Sequence, residues 1–259
     1  MKTGYRCALE AGAEIIVKMD SDGQMDPALL PQLVLPVALG QADYAKGNRF
    51  LRPEALRRMP TVRLFGNAVL SFVSKLSSGY WQILDPTNGY TAISRETLAV
   101  LDLEHVDDRF FFESSMLVEL GLVRAVVTDV AMPARYGDEE SHLRVARSVP
   151  TFAAKHLHGV GRRILYRYFL TDFSPVSLLL AVSVPLTLFG FSYGLAYWLR
   201  SILYGITATA GTVMVAAFST TAGLYALVQA LVYDVLSAPQ RALTPARLVR
   251  LRADPSNLG

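Results

Sequence analysis

The triplet Asp20-Ser21-Asp22 closes the apolar run Ile15-Ile16-Val17-Lys18-Met19. A short β-branched run of this kind predicts a buried strand. Side chains alternate along a strand, so Asp20 and Asp22 point the same way just past its end. Two carboxylates converging there can hold a divalent cation against a pyrophosphate. The cation offsets the charge that develops on a leaving nucleoside diphosphate. In open α/β sheets, ligands sit at the carboxyl ends of strands. Gln24 follows closely, and Asp85, Glu113, Arg49, Arg63 and Arg135 fall in loops or at element ends.

The elements that must position these residues can be read from the same sequence. Residues 2–11 predict a helix with Gly12 as its stop. The strand 15–19 follows. Asp26-Pro27 reads as an N-cap with Pro at the first helical position, opening a helix to about Leu39 that Gly40 ends. Asp43–Lys46 is a short strand entering Gly47-Asn48-Arg49-Phe50. Residues 61–78 have helical period, with Val62, Phe65, Val69, Phe72, Val73 and Leu76 on one face. Asp85-Pro86-Thr87-Asn88-Gly89-Tyr90 is dense in turn formers, and a strand Thr91–Ile93 follows. A helix from near Glu113 to Gly121, a strand Val123–Val130 and a polar loop Met132–Glu140 complete an α/β pattern.

Composition adds a membrane. The chain has 259 residues, 52% of them hydrophobic, with a mean hydropathy of +0.31. The apolar excess is localised: residues 173–199 and 201–233 carry no charge. Each run exceeds the ~20 apolar residues that cross a bilayer core. The preceding 150 residues are too few to bury two such helices in a soluble protein. Pro185, Gly190, Gly211 and Gly223 inside these runs suit membrane helices better than soluble ones. Arg162, Arg163 and Arg167 precede the first run and Arg241, Arg247, Arg250 and Arg252 follow the second, with Arg200 between them. The positive-inside bias then places both termini in the cytoplasm and a short hairpin outside, as expected for an integral protein of the inner or plasma membrane. Met1–Glu14 has no apolar h-region, so residues 1–150 are expected to stay cytoplasmic. Residues 151–172 combine Phe152, Leu157, Val160, Ile164, Leu165 and Tyr168 at helical spacing with Lys155, His158, Arg162, Arg163 and Arg167. This pattern suits an amphipathic interfacial helix or a helix packed on the preceding domain. The expected units are a catalytic domain 1–150, this helix, a two-helix hairpin 173–235 and a basic tail 236–259.

Other chemistry is excluded or weak. The net charge of +3 is mostly the juxtamembrane arginine excess, and no aromatic–basic motif accompanies it, so nucleic-acid binding is not expected. The single Cys7 excludes an internal disulfide and a cysteine metal cluster. His142, His156 and His158 have no metal-ligand spacing with the acidic residues.

The ordered motifs resemble the polyprenyl-phosphate (dolichyl-phosphate) mannosyl- and glucosyltransferases of glycosyltransferase family 2. The resemblance rests on Val17 to Pro27, Lys46-Gly47-Asn48-Arg49-Phe50, Arg63-Leu64-Phe65-Gly66-Asn67, Asp85 to Tyr90, Phe111-Phe112-Glu113 and Ala134 to Glu139, and runs to about residue 235. It implies a GT-A (Rossmann-like) α/β fold and transfer of a hexose from a GDP- or UDP-sugar to a membrane polyprenyl phosphate. It implies that Asp20 and Asp22 face the donor pyrophosphate and that Asp20, Asp22 and Gln24 form the Mg²⁺ or Mn²⁺ site. It implies that Arg49, Arg63, Asn67 and Arg135 handle the acceptor phosphate and that Asp85 and Glu113 line the sugar pocket. A phosphate monoester has its second pKa near ~6 and is already largely dianionic at neutral pH. It needs no general base, but it does need cations, and the planar fork of Arg suits phosphate oxygens.

Each residue also has a plainer reading. Arg49 and Arg63 suit surface ion pairs, Asn67 a helix-surface amide, Glu113 a first-turn charge, Asp85 a turn and Gln24 a loop. The family's leading strands, including its Pro-x-Tyr-Asn-Glu-like motif, have no counterpart before Met1-Lys2-Thr3-Gly4-Tyr5-Arg6. Either the true start codon lies upstream or the gene is truncated, and in the second case an uncovered sheet edge and weak donor affinity are the expected consequences. An inactive truncated homologue serving as a membrane scaffold, or a pseudogene product, is the alternative from a non-enzyme class. A metal-dependent membrane phosphatase is a further one, and it lacks a visible nucleophile motif.

Overall fold

The computed structural model describes residues 1–21, 23, 25–51, 61–108, 111–133 and 145–243, with 61–65, 67 and 145–149 described by backbone alone. Strands β1 (Ile15–Lys18), β2 (Tyr44–Asn48), β3 (Thr91–Ser94) and β4 (Val127–Ala131) form one sheet in the order β1-β3-β2-β4. β3 runs antiparallel to both β1 and β2, and β2 pairs parallel with β4. β1, β2 and β4 therefore point the same way and β3 is reversed between them. β1 is an edge strand, with β3 as its one partner among the described residues.

Alternation along the strands builds two cores. Ile16, Tyr44, Ile93 and Val127 face one side, with Tyr5 of helix α1 (Lys2–Glu10) and Phe112, Met116, Leu117 and Leu120 of a later helix. Ile15, Val17, Ala45, Ala92 and Val130 face the other, against Leu33 and Val37 of α2 (Leu30–Ala38). The period-2 pattern thus gives a three-layer arrangement with the sheet in the middle. The expected Asp26 cap is present: its side chain accepts from the Ala28 N–H at 3.0 Å, and a short 3₁₀ turn from Pro27 leads into α2.

The next helices are α3 (Thr61–Ser78), the short α4 (Arg95–Val100) and α5 (Phe112–Leu122). The sequence pattern did not show α4; Ser94 caps it by accepting from the Thr97 N–H at 3.2 Å. Gly121 is not the stop of α5. A Cβ there would lie 2.2 Å from the Ser78 carbonyl oxygen, so this glycine lets two helices touch. The helix ends at Leu122, the chain turns at Arg124, whose φ is +58°, and Ala125 closes the turn on the Leu120 carbonyl at 3.0 Å. That turn takes up residues expected in the last strand, so β4 starts at Val127 rather than Val123.

The chain divides into two compact units, Met1–Arg167 with the segment from Ala238, and Tyr168–Ser237. Helix α6 (Val145–Leu165) belongs to the first. Arg162 is paired with Glu119 and Lys155 with Asp107, and His156 Nδ1 lies 2.9 Å from Ser77 Oγ. One face of this helix thus packs on the domain, which is compatible with a membrane interface along another face. The segment after the hairpin is likewise not only a tail: the Leu243 N–H donates to Asp43 Oδ1 at 2.7 Å, and its side chain joins the core.

The second unit is a hairpin of α7 (Pro175–Tyr204) and α8 (Ala210–Leu236), both long and apolar enough to cross a membrane. Small residues let the two backbones close up. A Cβ at Gly190 would meet the Thr220 nitrogen at 2.5 Å, and one at Gly223 the Thr187 nitrogen at 2.6 Å. Outward-facing side chains such as Phe191, Phe218 and Tyr225 are exposed, as a lipid solvent favours.

Candidate active site

The carboxyl ends of β1 and β2 and the turn entering β3 meet at one edge of the sheet. Lys18, the last residue of β1, is buried. Its Nζ donates to Asp20 Oδ1 at 2.8 Å, to Glu113 Oε1 at 2.8 Å and to the Gly89 carbonyl at 3.3 Å. Glu113 arrives from the first turn of α5. Burial alone would lower the Lys18 pKa, but Glu113 and Asp20 outweigh it and hold the ammonium above its usual range. The Asp20 side chain keeps 40% of its surface open. Gly89 makes this cluster possible, because a Cβ there would sit 2.1 Å from Asp20 Oδ2 and 2.5 Å from Lys18 Nζ.

A second cluster lies past the end of β2. Asp85 has no exposed surface. Arg49 donates Nε to its Oδ2 at 2.8 Å and Nη2 to its Oδ1 at 3.1 Å, and the Arg49 backbone N–H adds a contact to Oδ2 at 3.3 Å. This is the two-pronged geometry that a guanidinium makes with a carboxylate. Thr87 Oγ1 donates to Asp85 Oδ1 at 3.3 Å. Lys46, within β2 and fully buried, donates to the Asn88 carbonyl. Loss of hydration lowers its pKa to about 8, against the opposing pull of Asp85, Glu113 and Asp129. Asp129 of β4 accepts from the Leu84 N–H at 3.0 Å and from Asn48 Nδ2. Burial pushes its pKa up to about 6. Its Oδ1 has no hydrogen-bond partner among the described residues.

Four of the residues singled out from sequence are thus brought into two adjoining charge clusters: Asp20, Glu113, Arg49 and Asp85. Asp22, Gln24 and Arg135 lie outside the described residues. Arg63 and Asn67 lie on α3, with side chains outside them too. Among the described residues no group of three His, Cys, Asp or Glu side chains could hold a metal ion. Sequence reasoning assigned no role to Lys18, Lys46, Asn48 or Asp129. The signal available was a charge inside a short apolar strand, which must be paired to be buried. Lys18 and Arg49 are both engaged by carboxylates, and the group the arrangement presents at the strand ends, where an α/β sheet binds ligands, is the ordered, partly open carboxylate of Asp20.

No family model matches the chain. It is similar to two curated sugar transferases. The UDP-N-acetylglucosamine–dolichyl-phosphate N-acetylglucosaminyltransferase of Methanococcus voltae is 35% identical over 99 residues, 38% of this chain and 39% of that protein. The undecaprenyl-phosphate mannosyltransferase of Micrococcus luteus is 31% identical over 106 residues, 41% and 42% of the two chains. The match spans less than half the length of either relative. Among solved structures, glucosyl-3-phosphoglycerate synthase of Mycobacterium tuberculosis in complex with UDP is 21% identical at a TM-score of 0.42, over 62% of this chain and 53% of that one. The resemblance to polyprenyl-phosphate glycosyltransferases read from the motifs therefore extends to named relatives.

Proposed function

We propose that this chain carries the membrane-anchored catalytic part of a GT-A sugar transferase that moves a hexose from a UDP- or GDP-sugar to a polyprenyl phosphate at the cytoplasmic membrane face. The observation that carries the reading is the pair of charge clusters, Lys18–Asp20–Glu113 and Arg49–Asp85, at the carboxyl ends of parallel strands. The two named relatives supply the chemical class.

In this reading an acceptor phosphate oxygen forms the new bond to the anomeric carbon while the bond to the nucleoside diphosphate breaks. The acceptor is already ionised, so no side chain has to remove a proton. The work is positioning and charge stabilisation. Arg49, with Arg63, Asn67 and Arg135, holds the acceptor phosphate. Asp85 fixes the Arg49 guanidinium in the plane that a phosphate needs. Glu113 orients sugar hydroxyls, whereas Asp85, enclosed by Arg49 and Thr87, acts through Arg49. Asp20 suits a hard divalent cation: it is a carboxylate at a strand end, open on one side and held by Lys18 on the other. Asp20 would share Mg²⁺ or Mn²⁺ with Asp22 and Gln24, and when bound the ion supplies charge compensation for the pyrophosphate. The two apolar helices of the hairpin anchor the chain in the bilayer, where the lipid acceptor resides.

The test is direct. The chain in lipid nanodiscs is given radiolabelled UDP-N-acetylglucosamine, UDP-glucose or GDP-mannose with undecaprenyl or dolichyl phosphate, with Mn²⁺, Mg²⁺ or EDTA. Labelled lipid that forms with the cation and is lost in Asp22→Asn supports the proposal. No labelled lipid from any pair overturns it.

A further inference from the structure

Lys46 is a charged group inside a strand, without exposed surface, and the reaction proposed above gives it no part. Its ammonium donates to the Asn88 carbonyl. Asn88 closes the turn through its own side chain, with Oδ1 accepting from the Tyr90 N–H at 2.9 Å. The Tyr90 carbonyl accepts from the Gly47 N–H at 2.9 Å, so the turn is also stitched to β2 beside Lys46. A Cβ at Gly47 would meet Met132 Sδ at 2.6 Å and Asn88 Nδ2 at 3.0 Å, which shows how closely the turn seats. The next carbonyl, that of Gly89, is held by Lys18. Two lysines from two parallel strands therefore grip successive carbonyls of one turn. That turn carries Asp85 at its start and packs Gly89 against Asp20.

We infer that Lys46 is a positioning residue, which through the Asn88 carbonyl seats the Asp85–Tyr90 turn on the strand ends and so fixes Asp85 and Gly89 relative to Asp20. The groups that face it are Asp85 in the turn, Glu113 on α5, Asp129 on β4 and Lys18 on β1. A charged donor holds a carbonyl more strongly than a neutral one. With its pKa at about 8, the Lys46 grip weakens as the solution becomes mildly alkaline. A methionine fills nearly the same volume without the donor, so Lys46→Met keeps the packing and removes the grip, at the stability cost of one unpaired buried carbonyl. The positioning role and simple core filling are therefore separable.

The experiment compares wild type with Lys46→Met by amide hydrogen exchange, corrected for the intrinsic pH dependence of exchange, and by thermal unfolding. Lys46→Met should lose about tenfold protection at the Tyr90 amide at pH 7, with protection in α5 unchanged and only the modest fall in unfolding temperature that one lost buried hydrogen bond brings. Wild type should lose the same protection between pH 7 and pH 9.5, and Lys46→Met should show no such step. Wild-type protection at Tyr90 in the variant, or an equal loss throughout the sheet, would overturn the inference. The transfer assay rests on the proposed reaction: there Lys46→Met should raise KM for the nucleotide sugar by about tenfold. An unchanged KM also counts against Lys46. A wild-type protein that transfers no sugar counts against the reaction instead, and the exchange measurement then decides Lys46 by itself.

Discussion

Arg49 and Asp85 are bound edge to edge, with Nε and Nη2 of the guanidinium on different oxygens of a carboxylate that has no exposed surface. Breaking such a pair strands a buried charge, at a cost of about 3 kcal/mol. Arg49→Ala should therefore lower stability by about that much, and Arg49→Lys should recover only part of it because Lys has no fork. In a double-mutant cycle with Asp85→Asn the coupling should exceed about 1 kcal/mol. Chemical unfolding in detergent measures it, and additive effects of the two changes would show that the pair is not coupled.

Gly89→Ala should damage the site more than the fold. The added methyl meets Asp20 Oδ2 at 2.1 Å and Lys18 Nζ at 2.5 Å, and both are ends of movable side chains. They yield, and the ordered pair at the end of β1 is lost. Transfer should fall by about a hundredfold while the unfolding temperature changes little, since a shift of a fraction of an ångström in a positioned group has effects of this size. Wild-type transfer in Gly89→Ala would show that the Lys18–Asp20 contact is not needed.

Acid stability should reveal two groups working in opposite directions. Asp129 has its pKa raised to about 6, from an ordinary 3.8, by burial. Between those values the folded protein holds the extra proton, so the stability contributed by Asp129 is present at low pH and is lost as pH rises through about 6. His156 on α6 is sealed against the domain beside Ser77, and burial lowers its pKa to about 4 from 6.5. Here the unfolded chain holds the extra proton, so stability falls as pH drops from 6.5 towards 4. Asp129→Asn should make the acid decline steeper and His156→Leu should make it shallower, each by up to about 1 kcal/mol per pH unit. Unfolding midpoints between pH 4 and pH 7 measure both, and curves parallel to wild type would refute the assignment.

Topology can be tested on sealed vesicles. Protease applied from the outside should cut, if anywhere, near Arg200–Gly205, where α7 ends and Gly205 takes a φ of +66°. Both termini should be protected, as the arginine asymmetry requires. External cleavage near Arg247 would reverse the orientation.

Much of this fold is legible in the sequence because local and tertiary demands agree there. The β-branched run at Ile15–Val17, the Asp26-Pro27 cap and the two uncharged spans each have one structural solution. Gly121 misleads because a glycine at a helix stop and a glycine at a helix contact look alike until Ser78 is seen beside it. Within the site, Asp20, Asp85, Glu113 and Arg49 stand out because acidic and basic residues beside turn formers suggest ligands. Lys46 and Asp129 do not stand out. Their importance comes from strand pairing between residues far apart in the chain, such as Lys46↔Asp129, which no local pattern encodes.

The reversal of β3 has a consequence for how tightly the parts of the rim depend on one another. Because β3 runs against its neighbours, the segment leading into it arrives at the same sheet edge that β1 and β2 leave. Exits that carry Asp20 and Arg49 and an approach that carries Asp85 and Gly89 therefore share one rim while belonging to stretches far apart in sequence. The approach between Gly79 and Asp85 is itself anchored, because Tyr80 and Ile83 lie in the core and the Leu84 N–H donates to Asp129 of β4. A change in any one of these stretches is therefore felt at the rim by charged residues of the others.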